Sequence, residues 1–462
     1  MFSSFALSLA LIGAGPPPED WGDFDDFEFT EPSANGDATA LDDEDEVARP
    51  ADADSSSKQP AKAERSSVDD IMAGSLRLTG AFIHFDDVPE LYPNGDDGIF
   101  LGVARMMIDH SWARTKLEIN VFADLQRSVP NAGSAGAFTS AGATESAYRH
   151  AYLTVPYWQD GSIRGRAGFD RMKLAVDAGP VAVEVGRFPI STSVTNFLTP
   201  NDFFAPFSAT AINTMYKPGV DALRVSVAPG PLSSIEVIST MGFSDGYAPS
   251  WGHAALLARL SAVRWGFQGS LMGGKIAERW MVGGSLQGDI GRVGLRAEGH
   301  VGIPDLDGDG RRGDDLDHPI YGRVAGGPNV NFAWRSLTVG AEYAYLSDGA
   351  DRPADYIDRA SRLYPDDLPY LAQHYVGVVL GLQPIPILSA GAVTFVNATD
   401  GSGLVGLNAS YSISNEADLI LGSFIPWGPS ARATANPLMP VELASEFGAG
   451  GFTLYLESRV FF

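Results

Sequence analysis

Strand parity sets the terms for this chain. In its closing stretch Phe452, Leu454, Leu456, Val460 and Phe462 hold one parity, and Thr453, Tyr455, Glu457 and Arg459 hold the other. A β-strand sends alternate side chains to opposite faces, so this segment has one greasy and one polar face. The pattern recurs upstream. In Lys116–Leu125, Leu117, Ile119, Val121, Ala123 and Leu125 oppose Lys116, Glu118, Asn120 and Asp124. In Arg292–Val301, Val293, Leu295, Ala297 and Val301 oppose Arg292, Arg296, Glu298 and His300. In Ser336–Tyr345, Leu337, Val339, Ala341, Tyr343 and Tyr345 oppose Ser336, Thr338 and Glu342.

Two arrangements accommodate such strands. In a soluble sandwich the charged face is the wet outside. In a transmembrane barrel the apolar face meets lipid and the charged face lines water. From Gly74 onward no apolar run approaches the ~18–20 residues of a spanning helix. A membrane crossing must therefore be a closed sheet, since lipid tolerates no unpaired edge. A net charge of −25 repels phosphates and argues against nucleic-acid partners. The absence of cysteine removes disulfides and thiolate zinc sites.

Turn spacing favours the barrel. Short joints fall at Ala178–Pro180, Pro229–Pro231, Ile290–Gly291, Trp334–Arg335, Pro384–Ile385 and Ser414–Asn415. Longer joints alternate with them: Pro189–Pro218, Phe243–His253, Pro304–Pro319, Ser347–Leu371 and Pro426–Gly451. Short turns on one rim and long loops on the other characterise outer-membrane barrels. Lys275–Glu278 is a short joint on the long side, and Trp158–Asp170 leaves one strand open. The expectation is an all-β fold: a single closed antiparallel transmembrane β-barrel of about 18 strands, within 16–20, over residues 71–462.

The N-terminus is different material. Phe5 to Ala14 is apolar and ends in small residues, as a signal peptide over 1–15 would. Residues 16–70 carry 18 acidic and 4 basic residues, 14 of the net negative charges. Such a stretch cannot bury enough apolar surface to offset chain entropy, and reads as a disordered acidic tail.

Several motifs resemble those of Gram-negative outer-membrane porin-like β-barrels. The final strand, ending on Phe462, resembles their assembly signal. Gly186-Arg187, Asn196, Pro200-Asn201-Asp202-Phe203, Gly219-Val-Asp221-Ala-Leu-Arg224 and the late Ser445-Glu446-Phe447-Gly448 are similar to one group of such barrels. The resemblance covers Arg171 to Ile238 and the C-terminus, and implies a barrel, not a substrate.

Candidate sites follow from the topology. Pro189–Pro218 runs about thirty residues, where loops beyond ~12–15 are uncommon. It is rich in aromatics (Phe197, Phe203, Phe204, Phe207) with Met215, so it either folds inward as a constriction carrying Asn196, Asn201, Asp202 and Phe203, or packs on the rim. Expected pore-lining charges are Lys116, Glu118, Asp124, Arg187, Arg224, Glu236, Arg292, Arg296, Glu298 and Glu342. Rows of mixed sign make a transverse field or hold the wall together by salt bridges. Asp305, Asp307 and Asp309 have the spacing that opens a calcium loop, but Leu316 stands where the bidentate Glu belongs, leaving a solvated acidic loop as the alternative. No other cofactor is expected. Gly242-Phe-Ser244-Asp-Gly246 matches a nucleophile elbow only formally, since the following segment reads as a strand rather than a helix, and no catalytic residue is assigned.

The expected function is a porin-like channel in the cell outer membrane, passing small hydrophilic solutes by diffusion. Expected partners are outer-membrane lipid and lipopolysaccharide, small polar solutes, and the barrel-assembly machinery at the C-terminal strand. A closed structural or partner-binding barrel and a secreted soluble β-protein are the alternatives. Solute, ion preference and oligomeric state are not legible.

Overall fold

The computed structural model describes residues 72–85, 95–127, 146–206, 216–244, 246–306, 310, 318–364, 367–368, 370–434 and 441–462. The expected leader and acidic tail, together with Phe207, Met215, Asp307 and Asp309, lie outside the described residues.

The main sheet contains nineteen strands. They are β1 (Met72–His84), β2 (Asp96–Trp112), β3 (Thr115–Arg127), β4 (Thr154–Asp160), β5 (Ile163–Ala178), β6 (Val181–Phe188), β7 (Val220–Gly230), β8 (Ser233–Thr240), β9 (Ala255–Arg264) and β10 (Phe267–Ile276). Then follow β11 (Arg279–Ile290), β12 (Val293–Pro304), β13 (Tyr321–Phe332), β14 (Leu337–Leu346), β15 (His374–Ile385), β16 (Leu388–Asn397), β17 (Gly403–Ser414), β18 (Ala417–Trp427) and β19 (Phe452–Phe461). Eighteen of them form a closed antiparallel wall, β19 returning to β1 from Ser75 opposite Phe461 to His84 opposite Phe452. The exception is β4. One edge of β5 is paired along its length with β3. Its other edge is shared: β4 covers Ile163–Gly168 and β6 covers Met172–Ala178. The ambiguous stretch 158–170 thus contains the β4–β5 turn.

Connections sort by rim. The 113–114, 179–180, 231–232, 265–266, 291–292, 333–336, 386–387 and 415–416 turns share one rim with both strand termini at Met72 and Phe461. Gly179 (φ 73°) and Gly291 (φ 66°) supply the left-handed backbone that such tight hairpin turns require. Strand ends at the opposite rim are joined through 85–95, 128–153, 189–219, 241–254, 305–320, 347–373 and 428–451, with 161–162, 277–278 and 398–402 as short exceptions. The joint expected at Pro384–Ile385 falls instead at 386–387, because an irregularity after Leu382 keeps Ile385 paired with Leu388.

The sheet is inside out relative to a soluble protein. Leu421 is 52% exposed and Leu456 50%, whereas on the opposite face Glu118 is 5% exposed and Glu457 fully buried. Leu117, Leu295 and Leu337 stay on the outer face and belong to neither interior cluster. Two sectors break the polar-inside rule: at the long-rim ends of β6 to β11, Phe188, Val220, Ile238, Leu257, Met272 and Met281 pack with Phe203 and Phe204. On β15 to β18 the lumen-facing residues include Val379, Val393, Phe395, Leu404, Ile420 and Phe424, which pack with Phe197, Leu198, Leu371 and Phe447 from the loops. That sector of the barrel has a dry core made by chain folded into it.

Candidate functional site

Among the described residues, parts of two long-rim loops that enter the barrel are held by buried wall charge. The first is 189–219. Glu342 on β14 accepts from the backbone N–H groups of Asn196 (2.7 Å), Phe197 (3.1 Å) and Leu198 (3.2 Å). Glu298 on β12 accepts from Ser193 Oγ (2.6 Å), Val194 N (2.5 Å) and Asn201 N (3.1 Å). A carboxylate collecting N–H donors is the strong form of hydrogen bond. These two wall acids therefore satisfy backbone that would otherwise be orphaned inside the barrel. Asn201 also donates from Nδ2 to Gly284 O (3.0 Å), and its Oδ1 lies 3.1 Å from His300 Nδ1. Arg296 donates to the Asn196 side chain. Within the loop, Lys217 Nζ donates to Asp202 Oδ2 at 2.7 Å. Burial pushes the Asp202 carboxyl up against the pull of that lysine. Phe203 is 2% exposed and stacks edge-on to His300 at 5.1 Å.

The second inward loop, 347–373, includes helix α1 (Tyr356–Ser361). Its charge pattern is the reverse of the first. Here the wall provides the cation: Arg323 on β13 donates to Asp367 (2.6 and 2.8 Å) and to Asp348 (2.7 and 3.1 Å). Arg359 lies 2.9 Å from Asp348, and the Arg279 guanidinium sits 4.4 Å over Tyr364. Burial is the largest single influence and raises both carboxyls, but the cations together outweigh it: Arg323 at both, with Arg279 at Asp367 and Arg359 at Asp348. Both are held below the usual carboxylate range. The two loops meet where Tyr370 Oη donates to Phe197 O at 3.1 Å. A cavity of about 10 Å³, the size of one water, lies between them against Leu198, Asp202, Arg323 and Asp367.

The remaining wall carries an alternating belt. Glu118 (β3), Lys173 (β5), Glu184 (β6), Arg224 (β7), Glu236 (β8) and Arg259 (β9) stand on six successive wall strands with strictly alternating sign. Lys173 Nζ is 3.4 Å from Glu118 and 3.3 Å from Glu184, Arg224 bonds Glu184, and Arg259 is 3.8 Å from Glu236. Arg171 adds a second cation at Glu118 (3.1 Å). The belt continues as Gln268 with Gln287 and Ser270 with Ser285 on β10 and β11. Arg224 and Glu236 keep 22% of their side-chain surface open.

The ten charges singled out from parity thus serve different ends. Glu118, Arg224 and Glu236 belong to the belt; Lys116 lies on the same face, half-buried. Asp124 pairs with Arg166 at 2.9 Å. Arg187 is a buried clamp, donating to both oxygens of Asp221 (2.6 and 2.7 Å) and to the carbonyls of Phe169 and His150 (3.1 Å each). That fork is the physical content of the Gly186-Arg187 and Gly219-Val-Asp221 motifs. Glu298, Glu342 and Arg296 bind the inward loop instead of standing free. Arg292 lies exposed in the 291–292 turn, because β12 begins at Val293. Parity reasoning missed Arg323, Asp348 and Asp367. Arg323 shares the lumen parity of β13, but its loop partners carry no periodicity that would reveal them.

Asp305 is occupied by donors: Trp280 Nε1 at 2.9 Å and Gly310 N at 3.1 Å. With Asp307 and Asp309 outside the described residues, no group of three metal-ligating side chains occurs among the described ones. Ser244 sits in a two-residue ladder with Ala248–Pro249 and no helix follows it, so the elbow's context is lacking. His253 lies against Glu278 at 3.3 Å.

No family model and no curated protein sequence matches the chain. Solved structures do. Acinetobacter baumannii OccAB4 aligns with a TM-score of 0.50 at 10% identity, over 85% of this chain and 98% of that one. Pseudomonas aeruginosa OccK9 (OpdG) aligns with a TM-score of 0.50 at 12% identity, and Pseudomonas aeruginosa OpdL with 0.50 at 9%, over the same shares. An eighteen-stranded closed wall, greasy outside and charged inside, together with these alignments, shows that the chain has the fold of the Occ/Opd outer-membrane porins.

Proposed function

We propose that the chain is an outer-membrane channel, and not an enzyme, through which small hydrophilic solutes diffuse passively. The observation that carries this reading is the inverted sheet: an apolar outer face of Leu76, Leu78, Leu271, Val282, Leu421 and Leu456, closed around buried and partly wetted charge. Such a face needs hydrocarbon around it, and a closed ring is the only sheet that lipid tolerates. The dry sector on β15 to β18 turns the water path toward the belt on β3 to β9, which lies nearer the short rim than the apolar cluster on β6 to β11. There, three acids alternate with three cations and Arg171 adds a fourth at Glu118, so the belt is close to balanced and gives no strong net field. We infer a preference for uncharged or zwitterionic solutes over highly charged ones.

The lipid partner is the outer membrane, with lipopolysaccharide at the long rim, and the assembly machinery reads the strand ending at Phe462. The purified chain in planar bilayers is expected to give stepwise conductance with weak ion preference. Silent, sealed insertion would remove the channel reading, and solubility without detergent would remove the membrane.

A further inference from the structure

The motif Ser445-Glu446-Phe447-Gly448 has no role in the wall or the belt, yet it occupies one of the most buried polar sites in the molecule. Glu446 is 4% exposed. It reaches from the last long loop into the inward loop: Leu371 N donates to Oε1 (3.2 Å), and Tyr375 Oη (2.6 Å) and Asn397 Nδ2 (2.8 Å) donate to Oε2. A second carboxylate stands beside it. Asp400 Oδ2 accepts from Glu446 N (2.9 Å), Tyr356 Oη (2.8 Å) and Asn397 Nδ2 (3.1 Å). This cluster therefore ties together 347–373, 398–402 and 428–451. The turn that delivers Glu446 is built for it. Ser445 Oγ donates to Pro429 O at 2.7 Å, and Gly428 (φ 142°) allows an approach that a Cβ would block at 2.6 Å from Ser402.

The titratable groups facing Glu446 are Asp400 from the 398–402 joint, Tyr356 from α1, Tyr370 from the end of the inward loop and Tyr375 from β15. Among the described residues no lysine, arginine or histidine pairs with Glu446 or Asp400. Two carboxylates without a cation cannot both ionise cheaply. Burial and the neighbouring Asp400 outweigh the donated hydrogen bonds and push Glu446 up to about 8.

We propose that Glu446 is a latch for the inward loop: neutral, it holds Tyr356 to Tyr364 and Tyr370 to Ala372 inside the barrel, and ionised beside Asp400 it lets them go. This rests on the channel reading above. Because Tyr370 also holds Phe197, release of the second loop slackens the first. The sign follows from the raised acidity constant: the contribution is whole below the ordinary glutamate range and is lost as pH climbs through about 8. Alkaline conditions therefore widen the pore.

The test compares wild type with Glu446→Gln, which keeps the shape and cannot ionise. Conductance is read in planar bilayers at pH 6.5 and 9.5. Hydrogen exchange of the 356–372 peptide is measured in parallel and corrected for the intrinsic pH dependence. Wild type is expected to gain at least twofold in conductance and lose protection at the higher pH, while Glu446→Gln keeps its low-pH values in both. A rise of equal size in Glu446→Gln, or a flat wild-type profile in both readouts, overturns the latch. If neither protein conducts at any pH, the channel reading fails, and the exchange data alone decide the latch. A heat-dependent gel shift at both pH values confirms that each variant is folded.

Discussion

Removing the Glu342 carboxylate should free the first inward loop, and the size of the effect can be worked out. Glu342→Ala strips three backbone N–H groups, at 2.7, 3.1 and 3.2 Å, of their acceptor. Hydrogen bonds to a charged group contribute about 1.5–3 kcal/mol each, so the gross loss is roughly 4–9 kcal/mol. Much of this is offset. Released residues regain about 1–2 kcal/mol of backbone entropy apiece, and their N–H groups find lumen water. Glu298 still holds Ser193, Val194 and Asn201. A net shift of about 2–3 kcal/mol in loop docking remains, which at 1.4 kcal/mol per decade is about 30- to 140-fold. The chain has no cysteine, so a single introduced thiol reports cleanly. Leu198, 1% exposed in the loop core, is the position to use. Labelling of Leu198→Cys by a water-soluble thiol reagent is expected to accelerate by that factor when Glu342→Ala is added, with larger unitary conductance. Rates agreeing within about threefold would show that the wall acids do not hold the loop.

Three further expectations follow from the same geometry. Lys173→Met leaves Glu118 and Glu184 without their shared cation, so the reversal potential under a salt gradient should move toward cation selectivity; an unchanged value would mean that the belt does not face the permeation path. Leu421→Arg on the outer face should cost about 2–4 kcal/mol if hydrocarbon lies there, read as a lower folded fraction in detergent or lipid, and near-neutral behaviour would argue for water on that side. Asp348 and Asp367 are held below the ordinary value of 3.8, so their contribution is complete above it and fails only at lower pH. Hydrogen exchange of the second loop in Glu446→Gln, where the latch cannot ionise, should therefore show no loosening between about pH 5 and 7, and loosening in that window would refute the Arg323 clamp.

Much of the architecture was readable before any coordinate. Leu117, Leu295 and Leu337 share the outer face, since a strand's two faces are decided by neighbouring residues alone and the sorted turn lengths favoured a barrel. The rim assignment was readable for a similar reason, since turn length is local. Two errors were also local: β15 ran past Pro384, and Arg292 fell into a turn one residue before its strand began. The dry sector on β15 to β18 had a visible signature in the near-continuous apolar run of His374–Ile385. Such runs mark strands apolar on both faces, and here one face meets lipid while the other meets the inward loops.

What the sequence determined by itself was orientation: which side of each strand is greasy, how the strands follow one another, and that the ring must close. Tertiary structure alone decided the work done by each inward charge. Glu118 and Glu342 have the same parity and chemistry, yet one joins a belt of ion pairs and the other binds the backbone of Asn196 to Leu198. The reason is distance along the chain. Parity states where a side chain points, whereas its partner arrives from a loop nearly 150 residues away, and only the closed barrel brings the two into contact.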